Sequence, residues 1–145
     1  MQSIVLFGAG ASKGSEVNND VNTPPLGAEL FNCLSHRYPR SWGILESKPF
    51  VTDFEMAMTN LVQSKPDYIN QLQREMAMFL FEFQPTETSL YQRLIHELYP
   101  YLKTISFATL NYDILLERCF LKTGIKPVCA KLPQFENREV EIQTS

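Results

Sequence analysis

The chain has 145 residues, about the length of one domain, and its 44% hydrophobic and 20% charged residues are typical of globular proteins. A formal net charge of −3 provides no basic surface for nucleic acid, so we expect no nucleic-acid partner. The three cysteines, Cys33, Cys119 and Cys129, form no CxxC pair, which argues against a zinc site and a disulfide framework. This cysteine usage favours a reducing, cytoplasmic location. The longest apolar run, residues 76–81, is too short to span a bilayer, and nothing resembles a signal peptide, so we expect no membrane partner.

The first strong pattern is an apolar run that stops at a glycine-rich turn. Residues 4–7 predict a buried strand, and Gly8, Gly10 and Gly14 follow it closely. Glycines let backbone amides approach a ligand without a Cβ in the way, and such a turn can hold phosphate through its N–H groups. A tight turn that binds nothing is an equally good explanation of this pattern taken alone.

The next segments predict mainly helices. A polar loop is expected over 13–25, and helices over 26–37, from 52 to about 62, from 66 until Pro85, and over 89–99. Capping-box spacing at Thr52–Glu55 and Ser89–Gln92 predicts two of the helix starts. The apolar stripes expected to face the core are Leu26, Leu30, Cys33 and Leu34; Ile69, Leu72, Met76, Phe79, Leu80 and Phe83; and Leu90, Leu94, Ile95 and Leu98.

A second strand is predicted over 103–108, followed by a polar turn and a helix over 114–122 that Gly124 closes. A short third strand over 128–130 and a polar tail over 134–145 complete the chain. The order of strand, helices, strand and helix favours an α/β fold with parallel neighbouring strands. In such sheets ligands bind beyond the carboxyl ends of the strands.

The polar turn after the second strand contains Thr109, Asn111 and Asp113. Asn111 and Asp113 are residue types that cap helices, and capping alone explains them if the turn is considered by itself. If the two strands are neighbours, however, this turn and the glycine-rich turn face one crevice.

Together the two motifs resemble the sirtuin superfamily. The run Gly8-Ala9-Gly10-Ala11-Ser12 is similar to its GAGxS loop, and Thr109-Leu110-Asn111-Tyr112-Asp113 to its T-x-N-x-D loop. The chain is most similar to the sirtuin-like domains of bacterial antiphage defence proteins, which hydrolyse NAD. The segments 23–27 and 53–55 also resemble that branch. The resemblance covers residues 3–122 and implies a Rossmann-like parallel sheet flanked by helices, with 1–133 as the N-terminal part of the NAD-binding domain.

The resemblance also implies a role for each matching residue. Gly8, Ala9, Gly10, Ala11 and Ser12 would hold the NAD pyrophosphate and the nearby ribose. Asn111 would be the catalytic residue, positioned beside the nicotinamide ribose to orient the attacking water. Asp113 would contact the nicotinamide carboxamide, and Thr109 would lie near the adenine-side ribose. The expected partner is therefore a small-molecule nucleotide, with no zinc or other metal.

Three departures from the sirtuin pattern affect the functional prediction. The zinc module with two CxxC pairs is missing, and the G-x-P-D-F-R loop is replaced by Thr23-Pro24-Pro25-Leu26-Gly27. The family's catalytic histidine follows the T-x-N-x-D motif, whereas the histidines here are His36 and His96, both expected on solvent-facing helix surfaces. We therefore expect an incomplete domain that continues beyond Ser145 and obtains its base from a later segment.

Four functions are compatible with these observations to different degrees. NAD hydrolysis by the full-length form is the leading prediction, and a non-catalytic NAD- or ADP-ribose-binding module is the alternative. A protein deacylase fits less well. A dehydrogenase fits least, because its ribose-binding acidic residue would fall near Glu29, within a predicted helix. A homo-oligomer and a C-terminal effector or sensor domain both stay open.

Overall fold

The computed structural model describes residues 3–17 and 23–126. In chain order the elements are β1 (Ser3–Phe7), α1 (Ala9–Lys13), α2 (Gly27–Arg37), a 3₁₀ helix (Trp42–Ile44), α3 (Ser47–Thr52), α4 (Phe54–Ser64), α5 (Pro66–Phe81), α6 (Leu90–Leu98), a second 3₁₀ helix (Tyr99–Thr104), β2 (Ile105–Thr109) and α7 (Leu115–Lys122). The fold is mixed α/β and mostly helical, which confirms the predicted class. None of these helices has both the length and the apolar character that crossing a bilayer requires.

The chain divides into two compact units. The first unit combines Met1–Asn22 with Gln84–Ser145, and the second is Thr23–Phe83. Both strands and both polar turns belong to the first unit, so the candidate site is built within that unit. The third strand predicted over 128–130 and the tail predicted over 134–145 lie outside the described residues.

The sheet of the first unit consists, over the described residues, of β1 and β2 paired in parallel. Ser3 is the partner of Ile105 and Phe7 is the partner of Thr109, so both strands end at the same level. The amide of Leu110 donates to the Phe7 carbonyl oxygen at 3.0 Å and extends the pairing beyond the strand. The prediction that both turns leave parallel strands at one sheet edge is confirmed.

Helices α6 and α7 contribute aromatic contacts to one side of this sheet. The Phe7 ring meets the Tyr91 ring edge-on at 5.4 Å, and Phe107 meets Phe120 in the same way at 5.0 Å. On β1, Ile4 and Leu6 remain 73% and 61% exposed. Because alternate strand residues point to opposite faces, the helices bury only one set. The prediction of a buried first strand is therefore wrong for these two residues.

The second unit has an aromatic core. Phe31, Trp42, Phe50 and Phe54 are buried, with neighbouring ring centroids 4.6–6.3 Å apart. The 3₁₀ helix and α3, which carry Trp42 and Phe50, were missed from the sequence because each is too short to show a helical period.

The predicted apolar stripes were largely correct for one of the second unit's helices and partly wrong for another. On α5 the residues Ile69, Leu72, Met76 and Leu80 are buried, as predicted, whereas Phe79 is only half-buried. For α2 the prediction fails at the N-cap residue Leu26 and at Cys33, which are exposed, whereas Phe31 is buried. The Phe31 ring stacks on the Phe50 ring with centroids 4.6 Å apart, and this contact places Phe31 on the buried face of α2.

Helix α4 starts one residue later than the predicted capping box requires. Asp53 is the N-cap, and its carboxylate accepts a hydrogen bond from the Met56 amide at 3.0 Å. Thr52 instead ends α3, and its hydroxyl donates to the Lys48 carbonyl at 2.9 Å. The predicted helix is therefore confirmed, but its capping residue is Asp53.

We predict that Asp53→Ala lowers the free energy of unfolding by about 1 kcal/mol, because the Met56 amide loses its acceptor. Asp53→Asn keeps an acceptor oxygen and is expected to lose much less. Urea denaturation followed by circular dichroism measures both variants. Equal losses for Ala and Asn would show that the cap contributes through charge and not through the hydrogen bond.

Candidate functional site

The glycine-rich turn connects β1 directly to α1. Gly8 is the N-cap of α1, with extended backbone angles, and its carbonyl oxygen accepts from the Ala11 amide at 2.9 Å. Residues 8–10 are exposed, whereas Ser12 is 1% exposed. The first amides of a helix have no carbonyl partner within the helix, so this turn presents backbone donors at the exposed edge.

Within the described part of the chain, neither the backbone conformation nor the packing requires glycine at position 8 or 10. The backbone angles of Gly8 and Gly10 lie outside the left-handed region, and a Cβ added at either position would meet no atom within 4 Å. Glycine within a helix, as at Gly10, costs about 1 kcal/mol relative to alanine. The open space above these two residues is therefore a feature that internal packing does not explain.

The second turn points its polar side chains inward. Thr109 is the last residue of β2, and its hydroxyl accepts from the Asn111 amide at 3.0 Å. Leu110 and Tyr112 are exposed, whereas Asn111 is half-buried and Asp113 is buried. The Asp113 carboxylate oxygen Oδ1 accepts from the Leu115 amide at 3.0 Å, so Asp113 also satisfies the first turn of α7.

The two turns are joined through the Ser12 hydroxyl. Its Oγ lies 3.0 Å from Asp113 Oδ1 and 2.8 Å from Asn111 Nδ2. A third contact, at 3.0 Å, comes from the Tyr91 hydroxyl of α6. These four side chains, Ser12, Tyr91, Asn111 and Asp113, are called the serine cluster below. The structure thus brings together three of the residues predicted for the site.

Tyr91 is the member of the serine cluster that the sequence analysis missed. The predicted buried face of α6 included Leu90, but Leu90 is 43% exposed and Tyr91 is buried. Burial raises the pKa of Tyr91, and the nearby Asp113 carboxylate raises it further, although the Ser12 hydrogen bond opposes both effects. Tyr91 therefore keeps its proton across the physiological pH range.

Ser89, which precedes α6, does not form the predicted capping box. It occupies the N-cap position, but its side chain makes no capping hydrogen bond. Its hydroxyl donates instead to the Ser15 carbonyl at 3.4 Å, and the Leu90 amide donates to the same carbonyl at 2.6 Å. These bonds tie the start of α6 to the segment after α1, which helps to hold Tyr91 near Ser12.

Among the described residues of the first unit, three buried side-chain atoms have no hydrogen-bond partner: Asn111 Oδ1, Glu117 Oε2 on α7 and Gln92 Nε2 on α6. Burial raises the pKa of Glu117, and the Asp113 charge adds to the shift. A buried polar atom without a partner is unusual in a folded protein and costs free energy until a water or ligand supplies one. Glu117 has no counterpart in the motifs and was not predicted.

The remaining residues considered in the sequence analysis differ in exposure. Ala9 is exposed and Ala11 half-buried, so only their backbone is suited to hold a ligand. His36 and His96 are both exposed, as predicted. Among the described residues, no three His, Cys, Asp or Glu side chains are grouped closely enough to hold a metal ion.

No protein-family model, curated protein or solved structure matches this chain. The functional argument therefore depends on the two motifs and on the geometry that joins them.

The two cysteines within the described ranges lie in contrasting environments. Cys33 is exposed, whereas Cys119 on α7 is fully buried, and its thiol lies 3.8 Å from the Ser89 hydroxyl. Burial raises the pKa of Cys119 to about 11. Because the thiolate is the reactive form, burial protects Cys119 both sterically and chemically.

We predict that iodoacetamide at pH 8 modifies Cys33 quickly and Cys119 only after unfolding. Peptide mapping by mass spectrometry, with and without urea, measures the two sites separately. Rapid modification of Cys119 in the native protein would contradict the packing of α7 against the segment around Ser89.

Proposed function

We propose that this chain binds NAD at the edge where β1 and β2 end, as the N-terminal part of a sirtuin-like NAD hydrolase domain with a Rossmann-like sheet. Backbone amides of residues 8–12 would hold the pyrophosphate. Asn111 would face the nicotinamide ribose, and Thr109 would lie towards the other ribose. In this proposal the biological setting is antiphage defence, which follows from the resemblance alone.

The observation that carries this proposal is the open space above Gly8 and Gly10. The described part of the chain gains nothing from glycine at either position, and both glycines lie just before Ser12, whose hydroxyl contacts Asn111 of the second turn. A bound phosphate group needs close contact with backbone amides, and a Cβ would obstruct that approach. The parallel register of β1 and β2 supports the same location, since ligands of α/β sheets bind where the strands end.

The proposed reaction is hydrolysis of the bond between nicotinamide and the ribose C1′ atom. The bond's electron pair leaves with the nicotinamide nitrogen, and the water oxygen bonds to C1′ while its released proton goes to solvent. The products are nicotinamide, ADP-ribose and a proton. Positive charge develops on the ribose as the bond breaks, so fixed dipoles directed at C1′ would lower the barrier. Orienting the water is the other contribution that Asn111 would make.

A second candidate is a module that binds NAD or ADP-ribose without cleaving it. The observation in its favour is that no histidine follows Asn111 in the sequence, and that His96 is exposed on α6. A general base usually contributes about 10²–10⁴-fold to the rate, so hydrolysis without one would be slow. Binding and turnover therefore need separate tests.

For binding, we predict that Gly10→Ala reduces the affinity for NAD and ADP-ribose at least about tenfold, because the Cβ enters the space for the pyrophosphate. The same change is expected to raise the free energy of unfolding by about 0.5–1 kcal/mol, since alanine favours helix. Isothermal titration calorimetry and urea denaturation measure the two effects. A variant that is more stable yet no longer binds cannot be explained by misfolding.

The matched control is Gly14→Ala at the C-cap of α1, where the added Cβ would make an ordinary contact with the Gly10 carbonyl. It is expected to bind both nucleotides with unchanged affinity. If Gly10→Ala binds as well as the unmodified chain, the nucleotide is not held by this turn. If the unmodified chain binds neither nucleotide at millimolar concentration, the proposed function fails.

For turnover, we predict that this 145-residue chain binds NAD but releases nicotinamide only slowly, because no histidine is available as a base after Asn111. Chromatography of the reaction mixture measures nicotinamide over time. Asn111→Ala is expected to remove the residual release while leaving the circular dichroism spectrum unchanged. Rapid release by the unmodified chain would show that another group acts as the base.

A further inference from the structure

The Ser12 hydroxyl makes three hydrogen bonds but has one proton. Its neighbours are Asp113 Oδ1 at 3.0 Å, Asn111 Nδ2 at 2.8 Å and the Tyr91 hydroxyl at 3.0 Å. A hydroxyl donates once and accepts twice, so three contacts use its full capacity. Ser12 is also 1% exposed, and its side chain therefore has neither the room nor the hydrogen-bonding capacity for a ligand.

One arrangement of protons satisfies all three contacts. Asp113 Oδ1 accepts from the Leu115 amide as well, so this oxygen is an acceptor and the Ser12 proton lies on the bond to Asp113. Ser12 then accepts from Tyr91, which has a proton to give. It also accepts from Asn111, whose amide must direct its nitrogen at Ser12. The reverse orientation of the amide would place two acceptors, Asn111 Oδ1 and Ser12 Oγ, in contact with no proton between them.

This arrangement decides which end of the Asn111 amide is left for other partners. The nitrogen is used by Ser12, and the oxygen Oδ1 is buried without a partner. An amide oxygen accepts a hydrogen bond from water or from a ribose hydroxyl, whereas an amide nitrogen would donate one. Oδ1 is covered in this structure, so a water or ligand group must enter to reach it.

We propose that Asp113 is a positioning residue that fixes the orientation of the Asn111 amide through the Ser12 hydroxyl. By accepting the Ser12 proton, Asp113 makes Ser12 an acceptor for Asn111, so the amide oxygen is the end left to accept from a ligand or from the attacking water once either enters. This role differs from the direct contact with the nicotinamide carboxamide that the resemblance implies for Asp113. The ligand part of this inference rests on the proposed function, but the hydrogen-bond part does not.

The contact with Leu115 makes an informative variant available. The Leu115 amide donates to the same Oδ1 atom of Asp113 that accepts from Ser12. In Asp113→Asn, this backbone donor favours the side-chain oxygen at the Oδ1 position and the new nitrogen away from it. The acceptor for Ser12 is therefore retained while the charge is lost. Asp113→Ala removes both the acceptor and the charge.

The direct test follows the Asn111 side-chain amide by NMR in the absence of any ligand. In the unmodified chain, we expect the Nδ2 proton bonded to Ser12 to exchange slowly with solvent. Asp113→Ala and Ser12→Ala should speed this exchange at least about tenfold, because the acceptor is lost or no longer oriented. Asp113→Asn should leave it within about twofold, since the oxygen is retained.

Tyr91→Phe is the matched control, because it removes one contact to Ser12 without changing where the Ser12 proton goes. It should leave the Asn111 exchange rate within about twofold of the unmodified chain. Rapid exchange in Asp113→Asn, or slow exchange in Asp113→Ala, would overturn the inference. Circular dichroism of each variant identifies any that has unfolded. Asp113→Asn keeps the oxygen that accepts from Ser12 and Leu115, so we expect this variant to fold and its exchange rate to be measurable.

Nucleotide binding separates the positioning role from a direct contact. If Asp113 acts through Asn111, Asp113→Asn should bind NAD and ADP-ribose with affinities within about twofold of the unmodified chain, because the oxygen at Oδ1 is preserved. A selective loss of affinity for NAD, with ADP-ribose unchanged, would assign Asp113 to the nicotinamide end and overturn the positioning role. If the unmodified chain binds neither nucleotide, the proposed function fails, and the NMR result still decides the hydrogen-bond arrangement.

Discussion

The parallel pairing of β1 with β2 is the constraint on which the candidate site depends. The two strands lie far apart in the sequence, yet the partnership of Phe7 with Thr109 places both strand ends at one level. Each turn begins at that level, so Ser12 and Asn111 come within hydrogen-bonding distance. A register shift of one residue would move one turn along the strand axis by about 3.3 Å and break this contact. The aromatic contacts of Phe7 with Tyr91 and of Phe107 with Phe120 stabilise the pair, because a two-stranded sheet is marginal without packing on one face.

The features that the sequence predicted correctly are those with a local cause. An apolar run that stops at glycine predicts a strand and a turn, and the apolar period of α5 predicts its buried face, since both patterns repeat within a few residues. Gly124 was placed correctly after α7, because the left-handed backbone found there, with φ of 78°, favours glycine. The polar turn after β2 was recognised in the same way, from strand content followed by capping residue types.

The features that the sequence did not predict are set by contacts between distant residues. Tyr91 was missed because a leucine stripe is the stronger local signal on α6, whereas the burial of Tyr91 follows from its contacts with Phe7 and Ser12. Ser89 has the spacing of a capping residue, but its hydroxyl is directed at the Ser15 carbonyl, to which it donates, and accepts from no amide of the first turn of α6. The apolar run over residues 4–7 correctly predicted a strand. It could not show that α6 and α7 contact the face of the sheet that carries Phe7 and leave the side chains of Ile4 and Leu6 exposed.

The serine cluster also shows how stability and a candidate function share the same residues. Burying a polar group costs free energy unless its hydrogen bonds are made, and Ser12 makes all three that its hydroxyl allows. The unpaired Asn111 oxygen lies within the same cluster, where the Ser12 contact already fixes the amide. Turning the amide would place two acceptors, Asn111 Oδ1 and Ser12 Oγ, in contact. The fully bonded Ser12 hydroxyl therefore fixes the Asn111 amide in one orientation, and a donor from water or from a ligand would complete the hydrogen bonding of its oxygen.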